Sequence, residues 1–86
     1  MWFVYILLCQ DNSLYTGITN DLQARFKAHL SGKASKYTRA HLPIKIIYQE
    51  NVLDKSEALK RELEIKSWSR LQKIKRLNLS TKIIQS

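Results

Sequence analysis

Two stretches near the start of the chain decide the fold: Trp2-Phe3-Val4-Tyr5-Ile6-Leu7-Leu8 and Leu14-Tyr15-Thr16-Gly17. The first is an unbroken run of apolar and aromatic residues, which is typical of a buried strand. The sequence QDNS between them is rich in turn formers, so the second stretch is predicted to return as the other arm of a hairpin. Gly17 in that arm indicates a bulge, a close approach to the backbone, or simply the end of the strand.

The segment after the hairpin is predicted to be a helix that begins near Asn20. Asn20 and Gln23 have the spacing of a capping box. Arg25 and His29 would form a polar ridge beside the apolar stripe of this helix. Gly32 is predicted to end it. The apolar stripe would consist of Leu22, Phe26 and Leu30.

The rest of the chain is predicted to hold a basic loop, a third strand and two more helices. The loop covers residues 32–43, and the strand covers residues 44–50. A helix from Asp54 to about Trp68 and a shorter one from Ser69 follow, and each opens on a capping-box spacing. The predicted order of elements is therefore β-β-α-β-α-α.

Length and charge bound what the protein can do. Eighty-six residues, 44% of them hydrophobic, predict a single domain at residues 1–79 and a flexible C-terminal tail at residues 80–86. Lys and Arg outnumber Asp and Glu by 15 to 7, which gives a formal charge of +8. Such an excess points to a polyanionic partner such as nucleic acid, and a merely well-solvated basic surface is the alternative.

Several classes of protein are disfavoured. Cys9 is the sole cysteine, so neither an internal disulfide nor a cysteine-rich zinc site can form, and no disulfide-linked partner is expected. The N-terminal apolar run is too short to cross a membrane. Gly17 and Gly32 are the only glycines, too few for a glycine-rich phosphate loop. A cytoplasmic protein without a membrane partner is predicted.

Cations alternate with an aromatic ring in the basic loop, a pattern of proteins that track a nucleic-acid backbone. The residues concerned are Lys33, Lys36, Tyr37 and Arg39. Farther along the chain, Lys66, Arg70 and Lys73 would widen the same electrostatic footprint. A solvated basic loop without a ligand is equally compatible with the pattern.

The helix from Asp54 carries a carboxylate where an apolar residue is expected. At about 100° per residue, its apolar arc consists of Ala58, Leu59, Leu63 and Ile65. Glu62 lies in the middle of this arc. A charge on the core side of a helix is costly unless it is paired or bound to a metal. Glu62 could pair with Lys66, four residues on, or ligate a hard cation such as Mg²⁺.

These residues match the parts of a single-metal phosphodiesterase site. Such a site needs a carboxylate for the ion, a cation beside the phosphate and a group that activates water. Glu62 and Arg25 supply the first two parts. Tyr5, Tyr15 and His29 are the candidates for the third. A tyrosine is a poor base unless its pKa of about 10 is lowered, whereas a histidine titrates near neutrality.

Val4-Tyr5-Ile6 and Tyr15-Thr16-Gly17 resemble the two signature strands of the GIY-YIG nuclease domain. Arg25 falls at the position of that family's arginine, and the sequence EALKRE at residues 57–62 resembles the segment with its metal-binding glutamate. The resemblance extends from Trp2 to about Leu77. It includes the KYT loop and the ELEIK stretch of the small single-domain bacterial members. Val4 and Thr16 depart from the signature, and His29 lies where excision-repair relatives carry a tyrosine.

The resemblance implies an α+β fold with a small three-stranded antiparallel or mixed sheet flanked by helices. It implies an endonuclease that depends on Mg²⁺ or Mn²⁺, with DNA favoured over RNA as the substrate and with substrate selection either missing or supplied by a partner protein. Glu62 would then be the metal ligand. The implied catalytic residues are Tyr5, Tyr15, Arg25, His29 and Glu62. A catalytically weak or inactive nucleic-acid-binding module of the same fold is the alternative.

Overall fold

The computed structural model, which describes residues 1–84, has an α+β fold built on one antiparallel sheet. The strands are β1 (Trp2–Cys9), β2 (Leu14–Thr19) and β3 (Pro43–Val52), in the spatial order β2-β1-β3. The helices of this part of the chain are α1 (Leu22–Leu30), α2 (Lys36–Ala40), α3 (Lys55–Lys66), α4 (Arg70–Arg76) and α5 (Ser80–Ile84). The predicted fold class is confirmed, and the three-stranded sheet is wholly antiparallel.

The central position of β1 explains its unbroken apolar sequence. Residues 4–9 are all buried, because helices cover both faces of this strand. Val4, Ile6 and Leu8 face the main core, which also contains Ile47, Ala58, Ile65 and Leu79. Tyr5 alternates with them and points to the other face, where it meets α1. The apolar run therefore fixes both the sheet and the direction of the tyrosine.

Helix α1 differs from its prediction in both its cap and its buried face. Asp21, and not Asn20, is the N-cap, and its carboxylate accepts a hydrogen bond from the backbone N–H of Ala24 at 3.1 Å. Leu30 is 50% exposed, whereas His29 is fully buried. The supposed polar ridge therefore turns toward the sheet, since hydrogen bonds there satisfy the imidazole.

The basic loop predicted at residues 32–43 contains the short helix α2. Ser35 caps this helix by accepting a hydrogen bond from the backbone N–H of Thr38 at 3.1 Å. Thr38 is fully buried, and its burial anchors the segment. The prediction of an irregular loop was wrong because Ser35 was treated as a loop residue and not recognised as a helix N-cap.

Helix α3 begins as predicted, at the N-cap Asp54, and ends at Lys66 rather than near Trp68. Its apolar arc was half wrong, because Leu59 is 43% exposed and Leu63 is 69% exposed. The buried face is formed by Ala58 and Ile65, which lie on either side of Glu62 at about 100° per residue. The anomalous carboxylate is thus on the protein-facing side, as expected.

The C-terminal part is more ordered than a tail. Ser69 and Gln72 form the predicted capping box at the start of α4. Residues 80–84 form α5, in contrast to the flexible tail expected from residue 80, and residues 85–86 of that tail lie outside the described part of the chain. Leu79 is fully buried and Ile83 packs against the core, so an apolar spacing of four residues attaches this helix.

None of the helices in residues 1–84 combines the length and the apolar character that a membrane span requires.

Replacing Leu79 with Ala should lower the free energy of unfolding by about 2–5 kcal/mol, because a fully buried leucine leaves a cavity. Urea denaturation of the purified variant measures the loss. The matched control is Leu53→Ala, since Leu53 is 91% exposed and should change stability by less than about 0.5 kcal/mol. Equal stability of both variants would show that the C-terminal segment does not belong to the core.

Candidate active site

Gly17 is required because the ring of Tyr5 lies directly over it. The two residues are cross-strand partners in the β1–β2 pair. A Cβ atom added at Gly17 would lie 2.5 Å from the Tyr5 hydroxyl oxygen and 2.7 Å from its Cζ atom, closer than any side chain allows. Of the three interpretations of Gly17, namely a bulge, a close approach to the backbone and a strand end, the close approach is therefore the correct one. The missing side chain makes room for the phenol.

The Tyr5 hydroxyl begins a buried chain of hydrogen bonds. Its oxygen lies 2.7 Å from Nε2 of His29, whose Nδ1 lies 2.8 Å from Oγ1 of Thr38. Thr38 Oγ1 in turn lies 2.9 Å from Oγ of Ser35. The chain joins β1, α1 and α2, and its first three members are buried. The chain of hydrogen bonds links Tyr5 to the N-cap of α2, a helix that was not predicted from the sequence.

Burial keeps both members of the Tyr5–His29 pair neutral. Desolvation raises the pKa of Tyr5 to about 12, although hydrogen bonding and positive charge from Arg25 act in the opposite direction. Desolvation, reinforced by Arg25, lowers the pKa of His29 to about 4. At neutral pH the imidazole therefore carries a single proton and has one nitrogen free to accept a hydrogen bond.

The hydrogen-bond roles follow from this neutrality. Arg25 acts on Tyr5 as a hydrogen-bond donor, and we assign the phenolic proton to the bond with Nε2 of His29. The remaining imidazole proton then resides on Nδ1 and is donated to Thr38. Thr38 in turn donates a hydrogen bond from its hydroxyl group to Oγ of Ser35. Every member of the chain has a role in this arrangement.

Arg25 lies where α1 meets the ends of β1 and β2. It lines an open cleft of about 330 Å³ together with Trp2, Ile18, Thr19, Asn20 and Lys55. Its buried Nε atom has no hydrogen-bond partner among the described residues. Two cations and no carboxylate line this cleft, so its charge would attract an anionic oxygen.

Glu62 is only 16% exposed and forms an ion pair with Lys66, whose Nζ atom lies 3.1 Å from a carboxylate oxygen. The predicted pairing geometry is therefore present. The same carboxylate is near enough to Tyr5 for its negative charge to raise the pKa of the phenol. Tyr5 thus experiences Arg25, Glu62 and Tyr15 together, and the structure brings these predicted site residues into one electrostatic neighbourhood.

Tyr15 is half-buried and occupies the centre of a group of aromatic rings. Its ring centroid lies 5.0 Å from that of His29, 5.7 Å from that of Tyr37 and 6.4 Å from that of Tyr5. The Tyr37 ring stacks on His41 with centroids 4.2 Å apart, and His41 pairs with Asp11 in the hairpin turn. The rings lead from the buried pair to the surface.

The predicted nucleic-acid-binding residues differ in how free they are. The side chains of Lys33, Lys36 and Arg39 are exposed beside Tyr37, as a basic patch requires. Arg70 instead donates two hydrogen bonds to the backbone carbonyl of Asn12, at 3.0 and 3.1 Å. It fastens α4 to the hairpin turn. Its charge stays at the surface, but part of its role is structural.

Lys73 lies close to Lys66. It is half-buried, and its pKa is lowered by burial and then by the positive charge of Lys66. Cys9 is the buried residue expected from its apolar surroundings, and burial raises the pKa of its thiol. The cysteine therefore plays no part in this site.

Sequence reasoning missed Thr38 and Lys55. Thr38 orients His29, and the available signal was the spacing of Ser35 and Thr38, which is that of a helix cap. Lys55 lies 5.6 Å from the centroid of the Trp2 ring and faces the Arg25 cleft. No local pattern distinguishes Lys55 from other surface lysines, because the cleft forms only when β1, β2 and α3 come together.

Comparison with known proteins identifies this arrangement. A family model described as the GIY-YIG catalytic domain matches residues 1–76. The chain therefore belongs to the GIY-YIG family, as the two signature strands indicated. GIY-YIG domains form a nuclease superfamily, so membership implies a nucleic-acid substrate.

The relatives are small proteins of similar length. The chain is 52% identical to a UPF0213 protein of Staphylococcus haemolyticus over 73 residues, which cover 85% of this chain and 89% of the relative. It is 53% identical to a UPF0213 protein of Cupriavidus necator over 84% of this chain and 78% of the relative. The solution NMR structure of a UPF0213 protein from Bacillus halodurans aligns with a TM-score of 0.58 and 42% identity, covering 92% and 85% of the two chains.

Replacing Gly17 with Ala should destabilise the protein by about 1–3 kcal/mol, because the added methyl group collides with a tyrosine that cannot move freely. Urea denaturation measures the loss, and NMR should show displaced Tyr5 and His29 signals. The control is Gly32→Asn, since Gly32 has a φ of 77°, which asparagine tolerates, and a Cβ atom there would make only ordinary contact with the Arg39 side chain, at 3.6 Å. An unperturbed Gly17→Ala variant would contradict the close approach.

The buried neutral His29 should make stability fall with acid. The unfolded state binds a proton near pH 6.5 but the folded state only near pH 4, so about 3 kcal/mol is present above this window and lost as the pH falls through it. Urea denaturation at several pH values measures the change. A His29→Gln variant should lack this component, whereas His41→Gln should retain it. Identical pH profiles for His29→Gln and wild type would refute the assignment.

Proposed function

We propose that this protein is a divalent-metal-dependent endonuclease that hydrolyses phosphodiester bonds in DNA. The observation that carries the proposal is the position of the Tyr5 hydroxyl. It is hydrogen-bonded to a neutral histidine at 2.7 Å and lies within the fields of Arg25 and Glu62. A phenol so placed can pass a proton inward while it receives one from a water molecule.

Tyr5 and His29 act as a pair in this mechanism. Burial raises the pKa of Tyr5 to about 12 and lowers the pKa of His29 to about 4, so proton transfer between them at rest is unfavourable and both stay neutral until substrate binds. The water oxygen then bonds to phosphorus while the bond to the leaving sugar oxygen breaks, and that oxygen takes up a proton from solvent. The water proton moves to Tyr5 as the Tyr5 proton moves to Nε2 of His29. Tyr15 helps to position the water and packs against the histidine.

Arg25 binds the scissile phosphate. Its Nε donor lacks a partner in the described residues, and it lines a cleft with Lys55. A guanidinium beside the phosphate stabilises the negative charge that grows in the transition state. The same charge favours the phenolate form of Tyr5, which lowers the cost of the proton transfer.

Glu62 is suited to hold Mg²⁺ or Mn²⁺. It is a carboxylate on the protein-facing side of α3, and its negative charge is sensed at Tyr5. No group of three or more histidine, cysteine or acidic residues that could form a metal cage occurs in residues 1–84, which is compatible with magnesium because this ion often takes one or two protein carboxylates. When bound, such an ion supplies Lewis-acid stabilisation of the phosphate and the leaving oxygen.

The exposed basic side chains track the DNA backbone. Lys33, Lys36 and Arg39 are exposed in the same segment as Tyr37, and Lys66, Arg70 and the half-buried Lys73 extend the footprint on α3 and α4. Contacts with phosphates do not read the base sequence, so selection of a substrate is either absent or supplied by a partner protein.

The rival function is a nucleic-acid-binding module without useful turnover. The ion pair of Glu62 with Lys66 favours it, because a carboxylate satisfied in this way has a structural role of its own. Such a module would bind nucleic acid in a salt-dependent manner whether or not Glu62 is present.

The test is cleavage of end-labelled single-stranded, duplex and branched DNA with Mg²⁺ or Mn²⁺. Wild type should nick at least one of these, and Glu62→Ala should lose at least about a hundredfold in rate, since it removes a group that stabilises the transition state. The matched control is Glu57→Ala, an exposed carboxylate on the same helix, which should cut normally. Equal cleavage by wild type and Glu62→Ala, or no cleavage by either, would reject the catalytic proposal.

A further inference from the structure

Lys66 occupies the place where a cation would meet Glu62. Its Nζ atom lies 3.1 Å from Oε2 of a carboxylate that is only 16% exposed, while the lysine side chain is 48% exposed. The carboxylate is therefore largely enclosed by protein, whereas the lysine side chain borders solvent and has room for other positions. Another ion pair on α3, Lys60 with Glu57, is different in kind, since it spans 3.8 Å and both partners are largely exposed.

A second ammonium group, that of Lys73, is close enough to Lys66 to feel its charge. Lys73 is half-buried in α4, and the charge of Lys66 contributes to the lowering of its pKa. Lys66 is thus attracted by Glu62 and repelled by Lys73. If another cation binds and neutralises Glu62, Lys66 loses its counter-ion and still experiences the positive charge of Lys73. A nearby phosphate then becomes the best counter-ion for Lys66.

We propose that Lys66 is a second cationic catalytic residue, which holds Glu62 in the free protein and moves to the substrate phosphate when Glu62 is engaged by a divalent cation. This inference rests on the proposed function, because it assumes that Glu62 holds the metal. It adds a role for Lys66 that Arg25 does not perform. Arg25 already lies at the cleft, whereas Lys66 contacts the phosphate only after a divalent cation has replaced it at Glu62.

The exchange has two consequences of opposite sign. Lys66 competes with the metal for Glu62, so its removal should tighten metal binding. Lys66 also neutralises phosphate charge, so its removal should slow cleavage. A lysine with a purely structural role would not improve metal binding when it is removed. The two effects together therefore distinguish the exchange from a loss of helix stability.

The first measurement is Mn²⁺ binding without nucleic acid, followed by electron paramagnetic resonance of the free ion. Lys66→Met keeps the aliphatic stem and removes the charge. It should bind Mn²⁺ about three- to fivefold more tightly than wild type, the gain expected when a competing ion pair of about 1 kcal/mol is lost. Lys60→Met is the matched control and should bind as wild type does. Glu62→Gln should abolish the site.

The second measurement is the cleavage rate at saturating Mn²⁺ with the same labelled DNA substrates. Lys66→Met should be slowed about tenfold or more, because a charge beside the phosphate is missing. Lys66→Arg should recover most of the rate, since a guanidinium also binds phosphate. Lys60→Met should cut at the wild-type rate.

The outcomes separate this inference from the function on which it rests. Wild-type affinity for Mn²⁺ in Lys66→Met, or wild-type cleavage by it, overturns the role of Lys66 while Glu62-dependent binding still stands. Loss of Glu62 dependence in the wild-type titration overturns the metal site, and the role of Lys66 with it. Tighter binding combined with slower cleavage supports the exchange.

Discussion

The site depends on one close approach, that of the Tyr5 phenol to the backbone of Gly17. The antiparallel register of β1 and β2 makes these two residues partners, and the absence of a Cβ atom lets the ring lie flat over the neighbouring strand. The hydroxyl then reaches His29, which is held by Thr38 on α2. One steric constraint in the hairpin thus determines where α1 docks. It also explains why a histidine, rather than a leucine, is the buried residue of that helix.

Electrostatics make this arrangement more than a packing solution. The chain has a formal charge of +8, and basic groups dominate its surface. Inside, the Tyr5–His29 pair is kept neutral by burial, between a guanidinium and a carboxylate that affect the phenol with opposite signs. In the proposed function, this neutral pair would transfer the proton of the attacking water inside a positively charged protein, which suits a phosphodiester substrate. Such a substrate carries the negative charge, and the basic side chains that would bind it are already present in the protein.

The sequence was sufficient for the framework and for the identity of the central residues, but not for their geometry. The hairpin that carries Tyr5 and Tyr15 and the caps at Asp54 and Ser69 are local signals, and each appears in the structure as predicted, whereas the choice among the three interpretations of Gly17 needed the structure. His29 was placed on a polar ridge, because its burial depends on partners from two other elements. Leu59 and Leu63 were assigned to the core on hydrophobicity alone, although the helix turns Glu62 inward instead. Local patterns cannot show which face of a helix the rest of the fold will cover.

The central claim is that the Tyr5 hydroxyl donates a hydrogen bond to a neutral His29, and ¹⁵N NMR of the imidazole ring tests it most directly. The account predicts that His29 stays neutral down to about pH 4 and carries its proton on Nδ1, with Nε2 unprotonated. An imidazole that titrates near its ordinary value of 6.5, or one that carries its proton on Nε2, would contradict the account. Either result would remove the proton acceptor on which the proposed chemistry of Tyr5 depends.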